Sequence, residues 1–157
     1  MISRFIILLL VALIFILVVF IFNILPRALK SDNSAETMVL QVGGQSIVAE
    51  VASSPMARIR GLSGHPPLED GHGMLFIFDV PSIQGFWMKD MNFAIDIIWI
   101  ENGSVAGVVP NARPDDRAIR PVYYSPVPVQ YVLEVPAGTA ARFGIVPGTP
   151  IEINSKS

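Results

Sequence analysis

The sequence predicts a mostly β fold: a β-sandwich or barrel with two short helices, preceded by one N-terminal transmembrane helix. Three observations predict it. Every residue from Phe5 to Phe22 is apolar, with no Gly, Pro or charge. Eight short apolar-rich segments follow, separated by turn residues, as is typical of a sandwich or barrel. The chain of 157 residues has room for one such domain and little else.

The apolar run is long enough to cross a membrane. At 1.5 Å per residue it covers about 27 Å, close to the roughly 30 Å hydrocarbon core. It exceeds the apolar part of a secretory signal, and no A-x-A cleavage pattern follows. A buried core helix, the alternative, would need polar residues around its circumference. We therefore predict an uncleaved signal anchor over residues 1–26, crossing the inner cell membrane once between Phe5 and Leu25.

The orientation of this anchor follows from what lies on each side of it. Basic residues on the two sides nearly balance, so the positive-inside rule does not decide. Because only a short tail precedes the helix, we predict a cytoplasmic N-terminus and a periplasmic, extracytoplasmic domain. Residues 27–37 are polar and predict a linker. The predicted domain covers residues 38–154, and residues 155–157 form a C-terminal tail.

Two glycine-containing turns predict β-hairpins in the domain. Gly43-Gly44 separates residues 38–42 from residues 45–52, and Asn102-Gly103 separates residues 94–100 from residues 104–109. Tight two-residue turns need positive φ, which Gly and Asn tolerate best. Four more predicted strands cover residues 74–78, 85–89, 130–135 and 150–153.

Helix signals occur twice between these strands. Ser54 fits an N-cap, Pro55 the first helical position and Gly61 the residue just beyond the helix. Residues 139–144 repeat this pattern in shorter form. Residues 110–128 hold five prolines, which cannot donate to a strand ladder, and we predict a long loop there.

Several segments together resemble a known family. They occur in one order along the chain and are Arg-Ile-Arg-Gly-Leu (58–62), residues 71–78, Phe-Trp-Met-Lys-Asp-Met (86–91), residues 95–98, residues 132–138 and residues 145–148. This ordered set resembles the domain of unknown function 192 family of bacteria and archaea. The resemblance covers about residues 45–153. It implies a compact jelly-roll-type sandwich, often exported behind a signal or anchor, and implies no activity.

Composition and motifs exclude several functions. A net charge of −2 gives no basic surface for nucleic acid. The absence of cysteine excludes disulfides, a thiol nucleophile and iron–sulfur clusters. No P-loop, G-x-G-x-x-G, H-E-x-x-H or G-x-S-x-G motif occurs. His65 and His72, with Glu69 and Asp70 between them, could hold a divalent metal, but no helical His pair fixes a geometry, so we expect neither metal nor cofactor.

Three side chains are candidates for a binding surface. His72 lies between two glycines, in either a ligand-facing loop or a tight turn before a strand. Strand alternation would put Trp87 and Lys89 on one face, which could form an aromatic platform beside a cation for a small ligand or sugar. The alternative is that Phe86 and Met88 fill the core while Trp87 lies on a half-covered face.

Two carboxylates complete the candidates. Asp96 interrupts an apolar strand and shares its face with Ile98 and Ile100, so it needs a partner if it is buried. It could tie a strand to a loop or serve as a site carboxylate. Glu134 shares a face with Val132. The two acids could also form a glycosidase pair, although the sequence gives no distance between them.

These observations favour a membrane-anchored, extracytoplasmic module that binds a small molecule or glycan or interacts with the cell envelope. Because no catalytic constellation is recognisable, they favour a non-enzymatic role. One alternative is a hydrolase that uses Asp96 with Glu134 or His72 as acid and base; another is a structural accessory to a neighbouring membrane protein. The predicted ligand surface comprises His72, Trp87, Lys89, Asp96 and Glu134, with the loop of Arg113, Arg117 and Arg120 as a lid.

Overall fold

The computed structural model describes residues 6, 13–15, 17–20, 36–114 and 121–155. They belong to two units, Met1–Ser34 and Ala35–Ser157. In the first unit the described residues are helical and apolar, and each is at least 43% exposed. No helix within the described ranges is long and apolar enough to cross a membrane. Most of the predicted anchor, residues 1–26, and most of the predicted linker, residues 27–37, lie outside the described residues.

The second unit is built mainly from strands, as the sequence predicted. Its described part contains β1 (Thr37–Val42), β2 (Gln45–Ala52), α1 (Pro55–Arg60), β3 (His72–Ser82), β4 (Gly85–Phe86), β5 (Ile95–Glu101), β6 (Ser104–Ala112), β7 (Tyr123–Tyr124), β8 (Val129–Pro136), α2 (Thr139–Arg142) and β9 (Ile151–Ser155).

Seven of these strands form one curled sheet in the order β6-β5-β8-β3-β2-β1-β9. Every neighbouring pair is antiparallel except β2 and β3, which α1 connects in parallel. The two edges meet where Ser104 bridges Pro150 and the Ile151 N–H donates to the Gly103 carbonyl at 2.9 Å. The prediction of a two-sheet sandwich is therefore wrong: strand twist curls a single sheet until its edges touch. β4 and β7 form a separate ribbon.

Both hairpin predictions are confirmed. Gly43 and Gly44 have φ of 57° and 75°, while Asn102 and Gly103 have φ of 50° and 70°. Two residues with positive φ suit the right-handed twist of the flanking strands. The Gly43-Gly44 turn pairs β1 with β2, and the Asn102-Gly103 turn pairs β5 with β6.

The local signals for α1 are also confirmed. The Ser54 hydroxyl accepts a hydrogen bond from the Ala57 N–H at 3.2 Å, and Pro55 occupies the first turn. Gly61 ends the helix with φ of 47°, a backbone conformation that side-chain-bearing residues avoid. Both arginines of the helix, Arg58 and Arg60, lie in its last turn.

Two local predictions fail around the ribbon. The predicted strand over residues 85–89 ends at Phe86, and Tyr123–Tyr124 forms a strand inside the predicted loop. The cause is non-local: the Gln84 N–H donates to the Ser125 hydroxyl at 3.0 Å, and the Ser125 N–H donates to the Gln84 carbonyl at 2.9 Å. This pairing across distant segments leaves no periodic signal in either.

Side-chain alternation places a separate core on each face of the sheet. The inner core lies inside the curl and takes side chains from all seven strands together with Ala140 of α2. The outer core lies on the opposite face, around Phe76 and Trp99, beneath α1 and the ribbon. A two-sided sheet of this kind offers two places for a site, and only the outer one contains the cavity described below.

Candidate functional site

A cavity of about 310 Å³ opens on the outer face of the sheet. One wall is α1 and the segment that follows it, and the other is formed by β3, β4 and β8. Most of its surface is apolar, contributed by Leu62, Phe76, Phe86, Met88 and Met91 among others. Among the described residues, its only side chains with an acidic or basic group are Arg58, Arg60 and Glu134.

Glu134 is the unusual member of this wall. It sits on β8 between Ile97 of β5 and Met74 of β3, and its side chain is only 5% exposed. None of the described residues donates a hydrogen bond to its carboxyl group. Burial removes water from the charged form and raises the pKa of Glu134 from 4.5 to about 8. The side chain is therefore a neutral carboxylic acid at pH 7.

Arg58 is held in a fixed orientation at the edge of the cavity. Its guanidinium donates to the backbone carbonyls of Ser53 and Ile77, the latter at 2.8 Å, and lies 5.1 Å from the ring centroid of Phe78. Arg60 is exposed. In the described part of the chain, no carboxylate lies within ion-pair distance of either arginine. The cavity therefore carries positive charge at pH 7.

Aromatic rings stiffen the floor. Phe86 packs edge-on against Phe76, with centroids 4.8 Å apart, and against Trp99 at 5.5 Å. A Cβ on Gly61 would lie 3.2 Å from the Phe76 ring, so glycine lets the end of α1 approach this floor closely. Trp87 is 51% exposed at the margin of the cavity. The result is a preformed apolar pocket with polar groups at few points.

Comparison with known proteins places this architecture in a family. The model of the domain of unknown function 192 family, described as "Uncharacterized ACR", matches residues 38–153. The chain belongs to this family. The resemblance drawn from the ordered segments is thereby confirmed.

Two solved structures are similar to this family member. One, described as a candidate transcription regulator from Sinorhizobium meliloti 1021, is 31% identical, with a TM-score of 0.69 over 76% of this chain and 95% of the other. The second is a protein of unknown function from Novosphingobium aromaticivorans DSM 12444. It is 28% identical, with a TM-score of 0.71 over 78% of this chain and 89% of the other. Comparison with curated proteins finds no match.

Of the five predicted site residues, the domain brings two to the cavity, Trp87 and Glu134. His72 is exposed at the start of β3, with its Nδ1 3.3 Å from the Asp70 carbonyl oxygen. Lys89 pairs with Asp90 at 3.8 Å, and both side chains are more than half exposed. Neither His72 nor Lys89 lines the cavity. β4 ends at Phe86, so the strand alternation that predicted a platform of Trp87 beside Lys89 does not extend to these residues.

Asp96 has a structural role in the inner core. It is fully buried and accepts two hydrogen bonds of 2.8 Å, from the Asn111 N–H and the Ala140 N–H. The N-cap residue of α2, Gly138, has no side chain to cap the helix, so Asp96 of β5 supplies an acceptor instead. Of the two predicted roles this is the structural one, although the partners of Asp96 lie on β6 and α2 rather than in a loop.

The two predicted acids cannot act together. In the ladder, Asp96 lies opposite Val135 and Ile97 lies opposite Glu134, so the two carboxyl groups are on opposite faces of the sheet. A glycosidase-type pair therefore does not form. His72 does not line the cavity with Glu134 either.

The histidines of the metal hypothesis have other neighbours. His65 Nε2 lies 3.6 Å from Glu50, and Asp70 pairs with Arg142 at 2.9 Å. Searching the described ranges finds no group of three or more His, Asp or Glu side chains able to hold a metal ion. Arg113 of the predicted lid is exposed, while Arg117 and Arg120 lie outside the described residues.

Sequence reasoning missed the cavity's arginines and most of its aromatic floor. Arg58 and Arg60 lie in one of the segments that carry the family resemblance, but neither was considered as a site residue. A signal was present, because two arginines on a very short helix with no acidic neighbour have no local ion-pair partner.

Proposed function

We propose that the domain binds a small molecule in the outer cavity, without catalysing a reaction, and that the N-terminal apolar segment tethers it to a membrane. The observation that carries this proposal is the buried carboxyl of Glu134, which faces the cavity without a hydrogen-bond partner among the described residues. Among the described residues no side-chain N or O atom is both shut off from solvent and without a partner, so the oxygens of this carboxyl are accessible from the cavity. A ligand that pairs with the carboxyl gains a hydrogen bond worth about 0.5 to 1.5 kcal/mol.

The dimensions and composition of the cavity support a small ligand. Pockets for small molecules measure roughly 300 to 1,000 Å³ and are mostly apolar, with few well-placed polar groups. A cavity of about 310 Å³ with one carboxylic acid and two arginines falls at the small end of this range. It suits one ring system or a short chain with a polar substituent.

Binding is favoured over hydrolysis because the wall offers one proton-transfer group. General acid–base chemistry at a sugar or ester bond generally needs a second group within reach of the same substrate. Arg58 and Arg60 stay protonated at neutral pH, so they can bind a ligand but cannot exchange protons with it. No other described residue in the wall has an ionisable carboxyl or imidazole group.

Membrane tethering is supported by the apolar run between Phe5 and Phe22. Its described residues are helical with exposed apolar side chains, which water disfavours and a hydrocarbon environment accepts. We expect the full chain to remain with membranes after alkaline carbonate extraction. A C-terminal alkaline phosphatase fusion should be active and a C-terminal green fluorescent protein fusion dark; the reverse pattern would place the domain in the cytoplasm.

Ligand binding can be tested with the full chain in phosphatidylcholine nanodiscs. Saturation-transfer NMR with indole-3-acetate, indole-3-ethanol and N-acetylglucosamine should show transfer to at least one probe. The transfer should weaken in Trp87→Ala and persist in Val146→Ala, since Val146 is equally exposed but does not line the cavity. No transfer to any probe, or equal loss in both variants, would contradict binding at this site.

A further inference from the structure

The charge of the cavity restricts what it can hold. Its two cations, Arg58 and Arg60, have no carboxylate within ion-pair distance among the described residues. Its one acid, Glu134, is neutral at pH 7 because burial raises its pKa to about 8. The ion pairs nearest in the chain, Lys89 with Asp90 and His65 with Glu50, are formed by side chains outside the lining.

The contacts of these groups also fix how a ligand could lie in the cavity. Arg58 is oriented by two carbonyl oxygens and a ring face, so its guanidinium is preorganised rather than free to swing. Arginine presents a planar set of donors that matches carboxylate and phosphate oxygens. Phe76 and Phe86 provide an apolar floor, and the neutral carboxyl of Glu134 adds a donor and an acceptor in the wall.

We infer that the ligand of this cavity is an organic anion: a carboxylate or phosphate that pairs with Arg58 and Arg60, attached to an apolar body of about one ring system that packs on Phe76 and Phe86. This inference rests on the proposed binding function and names its ligand class. An organic cation would be repelled by the guanidinium groups of Arg58 and Arg60. It could form an ion pair in the cavity only if the buried carboxyl of Glu134 lost its proton.

The state of Glu134 controls this selectivity. When the pH rises through about 8, Glu134 becomes negative and opposes a bound anion. Met74 and Ile97, its neighbours across the sheet, are not ionisable. The charged or titratable groups on the elements around it are Arg58, Arg60, Glu50, His65, His72, Asp79, Lys89, Asp90, Asp96, Glu101, Tyr123, Tyr124 and Tyr131, and of these only Arg58 and Arg60 line the cavity.

A set of three probes with one ring and different charge tests the inference. Indole-3-acetate is anionic, indole-3-ethanol neutral and tryptamine cationic at pH 7. Isothermal titration of the full chain in phosphatidylcholine nanodiscs, with empty nanodiscs as the blank, should show the anion binding at least about tenfold tighter than the other two. Arg60→Gln, at an exposed position, should remove most of this preference, and Val146→Ala should leave it unchanged.

Titrations at pH 7 and pH 9 measure how the charge of Glu134 affects ligand affinity. The wild-type protein should lose about tenfold in affinity for indole-3-acetate at pH 9, whereas Glu134→Gln should keep its affinity, since every other charged group is common to both proteins. Tighter or equal binding of indole-3-ethanol or tryptamine would overturn the anion assignment and leave the binding function standing. No binding of any of the three would overturn the anion assignment, and the binding function as well if N-acetylglucosamine also fails to bind. An equal loss of affinity for indole-3-acetate at pH 9 in Glu134→Gln would mean that Glu134 does not control the selectivity.

Discussion

Two buried carboxyl groups on neighbouring strands have opposite surroundings. Asp96 of β5 points into the inner core and receives two backbone N–H groups at 2.8 Å. Glu134 of β8 points into the outer cavity, where no described residue donates to it. Burial is nearly equal, at 0% and 5% exposure, so burial alone does not distinguish a structural acid from an available one. The donors that surround each carboxyl make that distinction.

The largest expected effect comes from removing the Glu134 charge. Its pKa of about 8 lies above the unfolded value of 4.5, so between these values the folded chain holds a proton that the unfolded chain has released. The free energy of unfolding should therefore fall as the pH rises through this window, by on the order of 5 kcal/mol in total. Glu134→Gln should abolish the fall and unfold at higher urea than wild type at pH 9.

The charge-dependent difference in stability between the two proteins should be small at pH 5 and vanish as the pH falls below the unfolded-state pKa of 4.5, because Glu134 is then protonated in both states. Urea unfolding of the full chain at pH 5, 7 and 9 measures it. Glu152→Gln, which removes an exposed carboxylate from β9, controls for the loss of an acid. Parallel pH profiles of wild type and Glu134→Gln would mean that Glu134 is solvated or paired in the folded protein.

Asp96→Ala should have the second largest effect on the free energy of unfolding, and this effect can be measured without varying the pH. It leaves the buried N–H of Ala140 and the partly buried N–H of Asn111 without an acceptor, at a cost of about 2 to 4 kcal/mol in unfolding free energy. Asp70→Asn, at an exposed ion pair with Arg142, should cost at most about 1 kcal/mol. Equal losses in the two variants would show that Asp96 is not the cap of α2.

The comparison of Asp96 with Glu134 also shows which features of a site can be predicted from the sequence alone. Alternation places both side chains on faces of the sheet, and Asp96 was correctly expected to need a partner. Its partners, Asn111 and Ala140, lie on a strand and a helix that only the folded topology brings together. The cavity around Glu134 depends on how α1 folds across β3, which no periodicity encodes.

The same limit explains the fold prediction. Hairpins and the caps of α1 depend on adjacent residues, such as Gly43-Gly44 and Ser54, and were predicted at the correct positions. The parallel pairing of β2 with β3 and the meeting of β6 with the start of β9 are long-range, so a single curled sheet could not be distinguished from a sandwich. How closely the side chains pack on the inner face of the sheet is likewise a property of the folded chain that no local sequence pattern encodes.

A third prediction tests how closely the two faces are packed. A Cβ on Gly73 would lie 2.7 Å from the backbone oxygen of Glu134 and close to Leu133, which belongs to the inner core. Backbone cannot move aside cheaply, so Gly73→Ala should cost about 1 to 3 kcal/mol. Gly107→Ala would meet the side chains of Pro126 and Trp99 at 3.0 to 3.2 Å and should cost less. Denaturant midpoints that rank in the reverse order would mean that the outer face is the more tightly packed.

The smallest expected effect on stability belongs to Trp87. Its side chain is half exposed at the cavity margin, and its chain neighbours Phe86 and Met88 hold the segment in place, Met88 with only 2% exposure. Trp87→Ala should therefore change the free energy of unfolding by less than about 0.5 kcal/mol, as should Val146→Ala. Because a ligand in the cavity would contact the indole, the same variant should weaken indole-3-acetate binding. A stability loss above about 1 kcal/mol would assign Trp87 to the outer core instead, and the weakened binding would then be a consequence of altered packing.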